Sequence, residues 1–145
     1  MTTQSDYNTW FRAQLGKYYP KLFGSIEEIE YNGITYLRAI INHEDSRRII
    51  RVSNYGGEIT VTLHTHHAHF DHESKGDRDR DFEEAMNWIN DIQNGRVFVC
   101  SKYAGDKLIS SLSTYSLDDF ALKDGERVEV LCYPETGVRE IRGNK

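Results

Sequence analysis

The pattern of apolar and polar positions changes period several times along the chain. Tyr7, Trp10, Phe11, Leu15 and Tyr18 recur at three- and four-residue spacing, which lines one face of a helix over about residues 5–19. Ser5 or Asp6 is placed to cap that helix, and Pro20 to stop it. The period then drops toward two. In SIEEIEYNGITYLRAII, Asn32-Gly33 stands between two β-rich runs and predicts a tight hairpin. RRIIRVSNYGGEITVTLHTH repeats the arrangement, with Asn54 to Gly57 as the turn, so four antiparallel strands are expected before residue 70.

A helical period returns in DFEEAMNWINDIQNG. Phe82, Met86, Ile89 and Ile92 form the stripe expected to be buried, flanked by Ala85 and Trp88, over about residues 81–94. Asp81 can cap the start, with Glu84 completing a capping box, and Gly95 can end the helix. RVFVCSKYAGDKLISSLSTY then reads as a hairpin turning at Ala104-Gly105-Asp106, and ERVEVLCYPETGVREIR as another turning between Pro134 and Gly137. The sum is an α+β fold in a single domain, 1–145. It has one antiparallel β-sheet built from consecutive hairpins and two principal helices, about 5–19 and 81–94.

Composition narrows the function. The chain is long enough to bury a core without disulfide or metal staples. No apolar run approaches the ~20 residues of a membrane helix. The first residues, MTTQSDYNTW, lack the basic start and apolar stretch of a signal peptide, so a cytoplasmic site of action is expected. Cys100 and Cys132 form no C-x-x-C pair and lie in strand-like runs, which points to buried reduced thiols. The net charge is −5 and no basic stripe is visible, which disfavours nucleic acid as a partner. The acidity is uneven. Asp71, Glu73, Asp77, Asp79, Asp81, Glu83 and Glu84 stand against Lys75, Arg78 and Arg80, so seven acids minus three bases place −4 of the −5 within residues 71–84.

HTHHAHFDH, residues 64–72, gathers five of the six histidines. Within it His67-Ala68-His69-Phe70-Asp71-His72 spells H-x-H-x-D-H, which resembles the zinc signature of the metallo-β-lactamase hydrolases. That family takes further ligands from later in the chain, and no histidine follows His72 here. A metal-dependent enzyme or metal-binding protein is therefore the alternative reading, with His64, His67, His69 and Asp71 as its ligands. A cupin-like reading of His64-x-His66 fails on glutamate spacing. Ser110, Ser111 and Ser113 lack a nucleophile elbow, neither cysteine has a local histidine partner, and there is no phosphate loop. Neither a catalytic set nor a cofactor is expected. Ile59, Val61 and Leu63 share an inward face; unbroken alternation beyond them would bury His67 and His69 and expose Phe70. A β-bulge near His64 to His66 would restore the sense, turning His66, Ala68 and Phe70 inward and His67, His69 and Asp71 outward, with His64 joining them approximately.

Taken in order, SNYGGEITVTLHTHHAHFD, an acidic loop, and DFEEAMNWINDIQNGRVFVCSKYAGDKLISS resemble small bacterial immunity proteins of polymorphic toxin systems, over about residues 53–112. The shared pattern is a Gly-Glu turn, an apolar strand ending in His-x-His-Phe-Asp, a helix ending IxxIxNG, and a strand pair around Gly-Asp-Lys. The resemblance implies a non-enzymatic inhibitor that binds one cognate protein toxin in the cytoplasm. Many toxin domains that act on nucleic acids are basic, and an acidic partner would be steered to them. The expected partner surface is His67, His69, Asp71, Glu73, Asp77 and Asp79.

Overall fold

The computed structural model describes residues 3–71, 77–118 and 120–143. Among the described residues the fold is α+β, with three α-helices and two antiparallel sheets rather than the single sheet expected. The chain divides into two compact units, one comprising Met1–Leu63 and His67–Met86, the other His64–His66 and Asn87–Lys145. Among the described residues no helix is long and apolar enough to cross a membrane.

In the first unit, helix α1 spans Gln4–Tyr18. Its cap is Thr3, not Ser5 or Asp6: the Thr3 hydroxyl accepts from the Asp6 amide at 3.1 Å, and Asp6 serves as the reciprocal partner of a capping box. Pro20 does more than stop α1. It opens a short second helix, α2 (Pro20–Phe23), because a helix's first position needs no amide donor. Tyr7, Phe11 and Leu15 are buried, whereas Tyr18 at the end of the expected stripe is exposed.

Strands β1 (Glu27–Tyr31), β2 (Ile34–Ile41), β3 (Ile50–Ser53), β4 (Ile59–Leu63) and β5 (His66–Phe70) follow and form one sheet in that order. Five strands precede residue 71, one more than expected. Asn32 and Gly33 turn β1 into β2 with φ of 52° and 75°, the left-handed pair of a type I′ hairpin, and Tyr31 stands opposite Ile34. The buried face of the sheet carries Leu37, Ala39, Ile50, Val52, Ile59, Val61 and Leu63. Asn54 is fully buried at the start of the β3–β4 connection. Its side-chain oxygen accepts the Leu37 amide at 2.8 Å, and its side-chain nitrogen donates to Asn8 at 2.9 Å. A buried amide satisfied on both sides fixes the loop that carries Tyr55 and Glu58.

Helix α3 is Arg78–Gln93. It starts one turn earlier than expected, and Asp77 rather than Asp81 caps it, accepting the Arg80 amide at 3.2 Å. Asp81 is buried inside the helix. Phe82 meets Trp10 and Phe11 edge-on, with ring centroids 6.0 and 6.3 Å apart. Met86, Ile89 and Ile92 are buried as expected, and Ala85 and Trp88 join them. At the far end Gly95 adopts φ 73°; its amide reaches the Ile92 carbonyl and that of Arg96 the Asp91 carbonyl, the two bonds of a Schellman cap.

In the second unit, β6 (Phe98–Ala104), β7 (Lys107–Thr114), β8 (Glu126–Cys132) and β9 (Arg139–Arg142) form a sheet in the order β7-β6-β8-β9. Both expected hairpins are present, turning at Gly105-Asp106 and between Cys132 and Arg139. The β6–β7 register slips between Lys102 and Tyr103. Ser110 faces Lys102 and Leu108 faces Tyr103, so Ile109 is the extra residue of a β-bulge. Cys100, Val128 and Val130 form a core against Phe98, Leu117, Phe120, Leu122 and Ile141. Both cysteines are buried thiols outside any disulfide, and burial pushes Cys100 up to about 11.

Candidate functional site

The histidine stretch does not continue β4 through a bulge. The chain reverses at His64-Thr65 and returns as β5 beside β4. His64 takes φ 54°, the left-handed region that a tight turn requires and that histidine enters more readily than β-branched residues. The reversal gives the facing that the bulge was invoked to explain. Along β5, His66, Ala68 and Phe70 are half-buried, while His67 and His69 are exposed.

His67 and His69 stand two apart on one face of the strand, ring centroids 5.1 Å apart and nearly perpendicular. His69 is held at one ring nitrogen by two neighbours. Its Nδ1 lies 2.8 Å from a Glu58 carboxylate oxygen and 3.1 Å from the Thr60 hydroxyl. Glu58 and Thr60 flank buried Ile59, so period-two alternation turns both to the outer face of the sheet. His66, by contrast, lies 6.1 Å from Trp88, ring to ring. Thr65 meets the buried Ser101 hydroxyl at 2.6 Å and accepts the Ser111 hydroxyl on its carbonyl at 3.0 Å, which anchors the turn to β6 and β7.

The same outer face extends across the other strands of the sheet. Register places Glu27, Arg38, Ser53 and Thr60 in one row, and Ile40, Arg51 and Thr62 in the next. Arg38 Nε donates to Glu27 at 2.7 Å. Beyond the first row Tyr36 and Tyr31 both meet Tyr55 edge-on, at 5.2 and 5.7 Å. Tyr31, Ile34 and Tyr55 are exposed, and Tyr36 is half-buried.

Of the expected partner residues, His67, His69, Asp71, Asp77 and Asp79 are all exposed. Glu73 and His72 lie outside the described residues. His64 is half-buried in the turn rather than on the exposed face. Among the described residues no group of three or more His, Cys, Asp or Glu side chains is arranged to hold a metal ion. The pairing of Glu58 and Thr60 with His69 was missed in the sequence, although the two-residue spacing in GEIT already put them on one face. The tyrosine cluster was missed because it joins three separate segments. Comparison with protein-family models finds no match, and comparisons with curated proteins and with solved structures find none either.

Proposed function

We propose that the protein is an immunity protein: a non-enzymatic inhibitor that binds a cognate bacterial toxin, a basic protein, in the cytoplasm. One observation carries the reading. The exposed pair His67 and His69 sits on a strand that leads through Asp71 into the acidic stretch, where Asp77 and Asp79 are exposed at the start of α3. Four of the five net negative charges fall in residues 71–84, and although Asp81 is buried, the exposed Asp71, Asp77, Asp79 and Glu83 would draw a basic surface. The ordered sequence resemblance over residues 53–112 supplies the class of partner. The role of His69 in this reading is that of a rim contact, held by Glu58 and Thr60 and offering its remaining ring nitrogen to the partner.

The test is association kinetics with the purified product of the neighbouring toxin gene. Asp77→Lys combined with Asp79→Lys is expected to slow association at low salt. The difference should shrink as salt rises, because exposed charges act through long-range steering. Equal association rates for variant and wild type at low salt would place the partner surface elsewhere.

A further inference from the structure

On the outer face of the five-stranded sheet two arginines differ in what they meet. Arg38 is bound by Glu27 across β1 and β2, and His69 by Glu58. Arg51, on the central strand β3, points to the same side between Ile40 of β2 and Thr62 of β4. It is half-buried, and among the described residues it makes no ion pair and no side-chain hydrogen bond. A guanidinium held partly out of water without an acceptor is poised for a planar, two-pronged carboxylate.

What surrounds Arg51 suits a protein rather than a small anion. Ile40, Thr62 and Ser53 flank it, and a cluster of exposed Tyr31 and Tyr55 with half-buried Tyr36 lies along the same face. Tyrosines and arginine are the residue types that anchor protein interfaces. We propose that this face docks a partner protein that sets an Asp or Glu side chain on Arg51 and an apolar side chain on the tyrosine cluster. Charge complementarity selects this occupant. The uncompensated guanidinium calls for a single carboxylate, whereas a phosphate backbone would bring many charges against Glu27 on this face and the net charge of −5. The inference concerns the centre of the sheet and does not require the partner to be a toxin.

The probe is a library of random short peptides displayed on phage, selected against the full chain. Selected peptides are expected to share an Asp or Glu and an apolar residue about four positions apart, the spacing of Ile40 and Tyr36 along β2. Replacing that acid by its amide should weaken binding about tenfold, and so should Arg51→Gln in the protein. Backbone amides of Ile40, Arg51 and Thr62 should shift in NMR spectra when peptide is added. A basic or acid-free consensus, no binders, or undiminished affinity of the amide peptide overturns the proposal. The peptide swap remains decisive even if Arg51→Gln alters the fold, and thermal melting of that variant shows whether it does. Loss of this site would leave the salt-dependent association at Asp77 and Asp79 untouched, so the two readings fail separately.

Discussion

Asp45 shows how much one side chain can hold. It accepts from the Arg47 backbone and guanidinium, each at 3.0 Å, and pairs with Arg48, whose side chain is only 1% exposed. The hydrogen bonds from Arg47, followed by that from Arg48, hold the Asp45 carboxyl well below the usual carboxylate range. A depressed folded-state value sets the sign. The contribution is present above the ordinary aspartate pKa of about 4 and is lost as pH falls through the folded value. Asp45→Asn should therefore be less stable than wild type at neutral pH, with the gap closing in strong acid. Urea melts over a pH series would check it, and a gap that stays constant down to about pH 2 would refute it. Arg48 shows why such residues escape a reading by pattern. A buried arginine is legible only through its partner, and nothing in HEDSRRII marks which of two adjacent arginines turns inward.

At the scale of elements, local chemistry was largely readable. Asn32-Gly33 and Gly105-Asp106 carry their turn type in their own residues, and the α3 stripe declares itself by period alone. That stripe makes a direct prediction. Met86→Ala or Ile89→Ala should each cost ~2–5 kcal/mol in denaturant melts, since both side chains are buried. Values near zero would mean that this face is not core. The reversal at His64-Thr65 was not readable, because neither residue is a customary turn former and the His64 φ of 54° is imposed from outside. Thr65 is tied to Ser101 and Ser111, more than thirty residues away in sequence. The facing of His67 and His69 survived that error, since a turn and a bulge both shift the alternation by one step. The contacts that hold His69 did not survive it, because Glu58 and Thr60 meet β5 only once the chain has turned back.

For the whole molecule, the sheet count was the least legible feature. Each hairpin is local, but whether two hairpins join one sheet depends on long-range pairings such as β6 with β8, where Phe98 faces Cys132. The two cores are built from apolar side chains, with Phe11, Leu15, Val52 and Val61 in one unit and Cys100, Val128 and Val130 in the other. Chelator should accordingly leave the melting temperature unchanged. A large drop, reversed by added zinc, would revive the metal reading of the histidine stretch. The β-bulge at Ile109 bears on how these molecules behave in a crowd. Four strands lie at sheet edges, and beside the short β5 the other three differ sharply in how they meet strangers. β1 carries Glu27, Glu28 and Glu30, β9 is short and carries Arg139, Glu140 and Arg142, but β7 is eight residues long with Leu108, Ile109 and Leu112 exposed. An edge of that length, uncharged beyond Lys107 at its start, is a template for stacking chain upon chain, and a kink is one of the few safeguards it has left. Deleting Ile109 should straighten β7 without touching the core. The expected result is a protein that still folds but scatters light on concentration, its edge now open to copies of itself.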